Sequence, residues 1–332
     1  MKILIIKPSS LGDIIHSLPL LNRLRKSFDD SSIHWVIDKS FREILEGHPM
    51  IDRLWVINKD EWKNINKFGV TLRNLKKLFK DLRAERYDLV IDLQGLLRSG
   101  IIAKATGSRF RIGFSEAREG ATMFYTHTVK GGRNIHAVDR YLKVADFLGL
   151  KRDDVRFPFP PLPDLQMDGI TDLLKKDYAV ISPGARWPTK MWPPERFGKV
   201  ASMLPLKTVV VGSPSEIPLA EEVVGSSKGK ALSIAGKTGL KELATVIGGA
   251  KFMLCNDSGP MHIAAAMGVS VFAIFGPTDP LKTGPYGEGH TIIRNNVSCS
   301  PCRKRRCNDG RCMIDLKVET VYEIIKKKGG KL

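Results

Sequence analysis

Short runs of apolar residues alternate with amphipathic stretches from near the start of the chain to near its end. Continuous apolar strands separated by helices are typical of a parallel sheet that is buried on both faces. The runs that we interpret as strands are Lys2–Lys7, Ile33–Ile37, Arg53–Ile57, Leu89–Asp92, Tyr178–Ser182, Thr208–Val211, Phe252–Leu254 and Val271–Phe275. The predicted helices are Ile14–Ser27, Thr71–Arg83, one that begins at Pro194, Ile217–Val224, Pro260–Met267 and Val318–Lys327.

The alternation is interrupted by the segment Phe157–Pro163, which reads FPFPPLP and has prolines at four of seven positions. Such a segment favours a stiff linker over a core element. The chain has 332 residues, about twice the usual size of one domain. We therefore predict an α/β protein of two doubly wound domains that face a cleft.

The composition is that of a globular protein, with 42% hydrophobic and 27% charged residues, which excludes a disordered or fibrous chain. The net charge of +18 is unusual, and Trp62–Lys143 alone has 17 basic and 7 acidic residues. This region is either a solvated helix face or a docking surface for an anionic partner. No apolar run is long enough to span a membrane, and the N-terminus resembles a strand rather than a signal peptide. We expect a cytoplasmic protein with reduced cysteines.

The loop KPSSLGDIIH, at Lys7–His16, follows the first predicted strand. Ligands of open α/β sheets bind outside the carboxyl ends of the strands, and Gly12 permits a tight turn there. Asp13 has two interpretations. The spacing Ser10-x-x-Asp13 is that of a capping box, whereas a carboxylate at the mouth of a cleft could act in chemistry. A carboxylate that acts as a base cannot be fully occupied by capping.

Two further loops follow predicted strands and suit an anionic ligand. In SPGARWPTKMWPPERF, the prolines make the loop that contains the cations Arg186 and Lys190 rigid. These cations are either solvated loop charges or groups that neutralise a departing pyrophosphate. In CNDSGPMHIAAAMG, Asp257 or Ser258 caps a helix. Free amides at such a helix N-terminus favour phosphate. Neither loop is a GxGxxG or Walker motif.

Four cysteines lie close together near the C-terminus, with basic residues among them; they are Cys299, Cys302, Cys307 and Cys312. The spacing C-x2-C-x4-C-x4-C could hold a tetrahedral structural zinc ion, but it does not match a common zinc finger. The alternatives are packed reduced thiols or a disulfide.

The segments KPSSLGDIIHSLP, SPGARWPTKMWP, NDSGPMHIAAAMG and FGPTDP, in this order, resemble glycosyltransferase family 9, the ADP-heptose:lipopolysaccharide heptosyltransferases. The resemblance covers nearly the whole chain, and its opening is more similar to the heptosyltransferase I branch. It implies the GT-B fold of two Rossmann-like domains. The acceptor would bind to residues 1–160, the nucleotide-sugar to 161–317, and the C-terminal helix in 318–332 would pack back on the first domain.

The resemblance also implies roles for individual residues. Asp13 would be the catalytic base of an inverting transfer from ADP-heptose, and Lys190 would contact the donor phosphates. Arg186 stands where the family has a threonine and would replace it. The implied donor-binding residues are Arg186, Glu216, Asp257, Ser258, Gly259 and His262. We expect the acceptor to meet Lys7, Ser10, Gly12, Arg98 and Arg118. No metal or cofactor is required by this mechanism.

The implied partners are ADP-heptose, a Kdo-lipid A or inner-core acceptor, and the anionic inner-membrane surface, where we expect a peripheral monomer on the cytoplasmic face. Two alternatives remain. A GT-B nucleotide-sugar epimerase would share the fold without performing transfer. A basic nucleic-acid-binding protein would suit the net charge, although the chain has no RNA-recognition or helix-turn-helix pattern, so we expect no nucleic acid.

Overall fold

The computed structural model of the chain describes residues 1–58, 68–132, 134–167 and 169–328. It divides into two compact units, Met1–Pro161 and Leu162–Leu332. The boundary predicted from the sequence follows residue 160. Residues 151–167 form neither helix nor strand, as the prolines of this segment predict. Residues 62–67 of the predicted basic region lie outside the described residues.

The first unit is built on a parallel six-stranded sheet in the order β3-β2-β1-β4-β5-β6. Its strands are β1 (Lys2–Ile6), β2 (Ser32–Asp38), β3 (Arg53–Ile57), β4 (Leu89–Asp92), β5 (Phe110–Phe114) and β6 (His127–Val129). Its helices are α1 (Leu11–Ser27), α2 (Phe68–Ala84), α3 (Leu97–Ala105) and α4 (Ala137–Phe147). Short 3-10 turns cover Lys39–Leu45 and Ala121–Phe124.

The second unit repeats this architecture, with a parallel sheet in the order β12-β11-β10-β7-β8-β9. Its strands are β7 (Tyr178–Ser182), β8 (Lys207–Val210), β9 (Ala231–Ser233), β10 (Phe252–Asn256), β11 (Ser270–Ile274) and β12 (Thr291–Ile293). Its helices are α5 (Thr171–Leu174), α6 (Pro194–Met203), α7 (Ile217–Gly225), α8 (Leu240–Gly248), α9 (Gly259–Ala266), α10 (Pro280–Thr283), α11 (Arg311–Ile314) and α12 (Val318–Lys328). The predicted α/β class with two doubly wound sheets is confirmed.

The strands that the sequence predicts are those with continuous apolar runs. Residues Ile3–Ile6 of β1, at the centre of its sheet, have no exposed surface, because helices cover both faces of such a sheet. The strand β5 was not predicted, since Arg111 and Gly113 break its apolar run. The remaining unpredicted strands are three residues long and lie at sheet edges; they are β6, β9 and β12.

The C-terminal helix packs on the core of the second unit. Val321 and Ile325 of α12 belong to the hydrophobic core of the second unit, together with Trp192 and Phe197. The segment before α12 is held there too, because the Trp192 indole donates a hydrogen bond to the carbonyl of Leu316 at 3.0 Å. The apolar face of the helix therefore packs within the second unit, and its return to the first domain stays a prediction. Residues 329–332 lie outside the described part.

A search of the described residues for membrane-spanning segments finds no helix with the length and apolar character to cross a bilayer.

Candidate functional site

Both sheets have a point at which the strand order reverses, between β1 and β4 in the first unit and between β7 and β10 in the second. Ligands of doubly wound sheets bind at the carboxyl ends of the strands beside this point. The predicted site residues fall there in two groups. Lys7–Asp13 follows β1 in the first unit, whereas Lys190 and Asp257–His262 follow β7 and β10 in the second.

The Asp13 carboxylate is held by contacts at both of its oxygens. The backbone amide and the hydroxyl of Ser10 donate hydrogen bonds to Oδ2 at 3.0 and 2.8 Å. The Tyr141 hydroxyl donates to Oδ1 at 3.2 Å, and the Lys7 ammonium lies 3.9 Å from the same oxygen. Asp13 therefore does cap α1, but 39% of its side chain remains exposed. The capping interpretation and the functional one are compatible in this geometry.

These contacts keep Asp13 ionised. Burial alone would raise its pKa, but the Lys7 ammonium and the hydrogen bonds from Ser10 and Tyr141 outweigh burial and lower the pKa below its usual value. Asp13 is therefore an anion throughout the neutral range. Asp92, at the end of β4, shows the opposite effect: complete burial raises its pKa although Tyr125 donates to it at 2.7 Å.

The Lys7 side chain is only 4% exposed. Its ammonium donates to the carbonyl of Leu93 at 3.4 Å and lies 5.4 Å from the centre of the Tyr141 ring. Burial lowers the pKa of Lys7, although the charges of Asp13 and Asp92 oppose this shift. A side chain enclosed in this way leaves little surface on which an acceptor could dock, and the contact of Lys7 with an acceptor stays a prediction.

The other predicted acceptor residues have different surroundings. Gly12 is buried within the first turn of α1 and Ser10 is half-buried, whereas Arg98 and Arg118 are exposed. Arg98 lines a cavity of about 280 Å³ together with Ser9, Gln94 and Glu119. Because Ser9 follows β1 and Gln94 follows β4, this cavity lies at the carboxyl edge of the first sheet.

In the second unit, Lys190 and Asp257 form a buried ion pair. The Lys190 ammonium lies 2.7 Å from Oδ2 of Asp257, and the two side chains are 15% and 5% exposed. The Thr278 hydroxyl donates to the same oxygen at 2.6 Å. Loops that follow three different strands therefore meet at one carboxylate, which fixes the position of the lysine.

The lysine loop is also attached to the cysteine-containing segment. The Lys190 ammonium and the Arg305 guanidinium lie 4.8 and 4.9 Å from the centre of the Trp187 ring, distances that allow cation–π attraction. The Thr189 hydroxyl donates to the carbonyl of Lys304 at 2.9 Å. The basic segment 303–306 therefore adds positive charge beside Lys190.

The N-terminus of α9 has the features of an anion site. Its N-cap, Ser258, has a buried hydroxyl that finds no hydrogen-bond partner among the described residues, although N-cap hydroxyls ordinarily accept from the first turn. Gly259 opens the helix, and His262 lies one turn in at 8% exposure. The dipole of α9 favours a negative charge at this end.

Glu216 and Arg186 complete the predicted donor residues. One oxygen of Glu216 accepts from the amide and the hydroxyl of Ser213 at 2.7 and 2.9 Å. Its other oxygen lies against Gly184, where an added Cβ would stand 1.8 Å away, so a side chain at position 184 would displace this carboxylate. Arg186, in contrast, is exposed.

The four clustered cysteines are free thiols. Burial is the main cause that raises the pKa of Cys312, and the charges of the other three cysteines raise it further. The four thiols therefore lie near one another. Within the described ranges, however, no group of three or more His, Cys, Asp or Glu side chains is placed to hold a metal ion.

A cavity of about 740 Å³ opens beside Met1, Leu89 and Phe110. These residues lie at the amino ends of β1, β4 and β5, on the edge of the sheet opposite Asp13. The cavity is therefore separate from the candidate site groups at the carboxyl ends of the strands.

Comparisons with known proteins show the family to which the chain belongs. A model described as glycosyltransferase family 9 (heptosyltransferase) matches residues 75–312, well over half of the chain. The chain belongs to glycosyltransferase family 9. Lipopolysaccharide heptosyltransferase 1 from Pseudomonas aeruginosa is 30% identical over 96% of this chain and 92% of that protein. The protein of the same name from Escherichia coli K12 is 29% identical over 89% and 93%.

The fold of this glycosyltransferase is that of a solved relative. The structure of the E. coli heptosyltransferase WaaC with ADP has a TM-score of 0.82 at 24% identity, and the match covers 99% of this chain and 100% of that one. The GT-B fold that the resemblance implied is thereby confirmed. Membership of the family also decides against the nucleic-acid-binding alternative.

Three residues of the glycosyltransferase that contact the predicted groups were missed by the sequence reasoning. Asp92 is a carboxylate at the end of an apolar strand, and this position could have identified it as a site residue. Thr278 lies in the FGPTDP turn, but nothing in that turn shows that its hydroxyl reaches Asp257. Tyr141 is 128 positions from Asp13 and lies on a helix that was not predicted, so no local pattern could have paired the two.

We expect replacement of Asp257 by Ala to destabilise the second unit by about 3–5 kcal/mol, because it leaves the Lys190 ammonium buried without a counter-charge. The double variant Asp257→Ala/Lys190→Met removes both charges and should recover part of this loss. Urea unfolding of the two single variants and the double variant measures the coupling. Additive effects in this cycle would show that the pair contributes nothing as a pair.

Proposed function

We propose that this glycosyltransferase moves heptose from ADP-heptose to the Kdo-bearing inner core of lipopolysaccharide, with Asp13 as the general base. The observation that carries this proposal is the Asp13 carboxylate, which is ionised, fixed at the carboxyl end of β1 and still 39% exposed. The P. aeruginosa and E. coli relatives are named lipopolysaccharide heptosyltransferase 1, which supports this acceptor class and the first-heptose branch.

In the proposed reaction an acceptor hydroxyl approaches Asp13 and its oxygen attacks the anomeric carbon of the donor. The bond between that carbon and the ADP oxygen breaks on the opposite face, so the configuration inverts. The hydroxyl proton passes to Asp13 as the new C–O bond forms. A base with a lowered pKa is a weak proton acceptor, so the transfer accompanies bond formation rather than preceding it. General-base assistance of this kind contributes about 10²–10⁴ in rate.

The donor diphosphate is proposed to bind at the carboxyl edge of the second sheet. The Lys190 ammonium and the amides of α9 would neutralise the charge that grows on departing ADP. The unpartnered Ser258 hydroxyl supports this assignment, because a phosphate oxygen would supply its missing partner. Glu216 would accept from the ribose hydroxyls, and exposed Arg186 would contact a phosphate. Gly259, Asp257 and His262 complete this site.

The acceptor is proposed to bind to the first unit. Arg98 and Arg118 are exposed cations, and the acceptor class carries carboxylates and phosphates that would pair with them. Because its side chain is only 4% exposed, Lys7 is proposed to act through Asp13 rather than by direct contact. Ser10 and Gly12 contribute by shaping the turn that presents Asp13.

The net charge of +18 also supports a peripheral position on the anionic cytoplasmic face of the inner membrane. Basic residues near such a surface contribute about 1 kcal/mol each to attachment. The basic region of the first unit, in the described residues from Phe68 to Lys143, is the part that we propose to approach the membrane.

Replacement of Asp13 by Asn separates capping from catalysis, because the amide oxygen of Asn can still accept from the Ser10 amide. We expect heptose transfer from ADP-heptose to Kdo-lipid A to fall at least about 100-fold, while ADP binding and the unfolding midpoint stay close to wild type. Asp38→Asn is the matched control, since Asp38 also caps a turn after a strand of this sheet.

Normal transfer by Asp13→Asn would return Asp13 to a capping role alone. Consumption of ADP-heptose that does not need any acceptor would instead support the epimerase alternative. The same assay, followed by chromatography of the sugar products, distinguishes the two outcomes.

Replacement of Lys190 by Met should weaken ADP binding about tenfold or more, since charged hydrogen bonds contribute about 1.5–3 kcal/mol. Isothermal titration calorimetry below the unfolding temperature of the variant measures the affinity. The control is Lys199→Met, which removes an exposed cation from α6 of the same unit. Equal losses in both variants would point to net charge rather than to a phosphate contact.

Membrane attachment is tested by sedimentation with lipid vesicles. We expect the protein to pellet with phosphatidylglycerol vesicles at about 0.1 M salt and to be released at about 1 M, where the Debye length falls to about 3 Å. Vesicles of phosphatidylcholine alone are the control. Equal partition into both vesicle types would refute electrostatic attachment.

A further inference from the structure

The two oxygens of Asp13 have different capacities to accept a proton. A carboxylate oxygen has about two acceptor sites. Oδ2 receives two hydrogen bonds, both from Ser10. Oδ1 receives one, from Tyr141 at 3.2 Å, because the Lys7 ammonium at 3.9 Å is a charge contact rather than a hydrogen bond. Oδ1 therefore retains an acceptor site.

The groups that hold Oδ1 come from parts of the chain that are distant in sequence. Tyr141 lies on α4 and is 5% exposed, and α4 packs against α1, which begins two residues before Asp13. Lys7 ends the first strand and is fixed by the Leu93 carbonyl at 3.4 Å. The orientation of the carboxylate thus depends on the packing of α1, α4 and β4 as well as on the local turn.

Both groups have little surface with which to meet a substrate. The Lys7 side chain is 4% exposed, and the Tyr141 hydroxyl is directed at the carboxylate. Both still act on the charge of Asp13, since a hydrogen bond to the ionised form and a nearby cation each favour ionisation. Their effect on a reaction would be exerted through Asp13.

We infer that Tyr141 and Lys7 are positioning residues, which leave Oδ1 of Asp13 as the atom that receives the acceptor proton. This inference rests on the proposed function of Asp13. In the reaction, the acceptor O–H bond breaks, its proton binds Oδ1, and the freed oxygen forms the bond to the anomeric carbon while ADP departs with the electron pair. Tyr141 keeps Oδ1 directed along this approach, and Lys7 keeps it anionic until transfer.

Other charged groups act on the same cluster. Asp92 raises the pKa of Lys7, whereas Arg140 and Arg118 lower it. Arg140, which precedes Tyr141 on α4, is itself directed at the Phe114 ring at 4.5 Å. The ring of His16 on α1 meets the ring of His136, the N-cap of α4, edge to face at 5.0 Å. A pH profile must therefore compare variants that change only the contacts at Oδ1.

The primary test is Tyr141→Phe, which removes one hydroxyl and keeps the ring. We expect kcat to fall about tenfold or more, because the reacting group loses its orientation, with the KM for ADP-heptose unchanged. Removal of the hydrogen bond raises the pKa of Asp13, so the acidic limb of kcat/KM moves to higher pH. Lys7→Met, which removes the cation, should move this limb in the same direction.

Tyr178→Phe is the matched control for loss of a buried tyrosine hydroxyl, since Tyr178 donates to the carbonyl of Val246 at 2.7 Å in the second unit. It should leave the pH profile unchanged. A readout without activity is the carboxyl ¹³C resonance of Asp13, identified by its loss in Asp13→Asn, which should titrate at higher pH in Tyr141→Phe.

The outcomes separate the two claims. If Asp13→Asn transfers heptose normally, the proposed function fails. If Asp13→Asn is inactive while Tyr141→Phe keeps the wild-type kcat, pH profile and ¹³C titration, Asp13 remains the base and the positioning inference is overturned.

Discussion

Each parallel sheet is covered by helices on both faces, so charged side chains gather where the strands end. This constraint decides where chemistry can occur in the molecule. Residues Ile3–Ile6 of the interior strand β1 expose nothing, and the loop that follows the strand contains Lys7 and Asp13. In the second unit, β7 and β10 end in the same way, and the loops that follow them contain Lys190 and Asp257. The strand order places these ends beside the crevice at which a ligand can enter.

The pKa of each carboxyl group at the sheet edges follows from the balance between burial and its charged and hydrogen-bonding neighbours. Burial prevails at Asp92 and raises its pKa, whereas at Asp13 the Lys7 ammonium and the hydrogen bonds outweigh burial and lower the pKa. The buried Lys7 lies near both carboxylates. Asp257 is also buried, and a lysine at 2.7 Å and a threonine at 2.6 Å satisfy it. The same residue type is therefore partly exposed at the edge of one sheet and is the buried partner of a cation at the edge of the other.

The sequence predicted the parts of the fold that a local pattern determines. Continuous apolar runs identified β1, β4 and β7, and the amphipathic periodicity identified α12. The pattern of α12 could not show which unit its apolar face would join, since Val321 and Ile325 suit any hydrophobic surface. The spacing of Ser10 and Asp13 predicted the cap, but the contact of Tyr141 with Asp13 depends on helix packing across 128 positions. The burial of Lys7 could likewise not be predicted from the sequence, because a lysine at the end of a strand is ordinarily solvated.

The position of α12 makes each half of the enzyme a continuous stretch of chain. Residues 1–161 form one unit and the residues from 162 onward form the other, so the backbone passes between them once, in the proline-rich segment. A chain that crosses only once can be divided there without cutting an element of either core. Under the proposed assignment of the acceptor to the first unit and the donor to the second, halves from different members of the family could be recombined at this crossing.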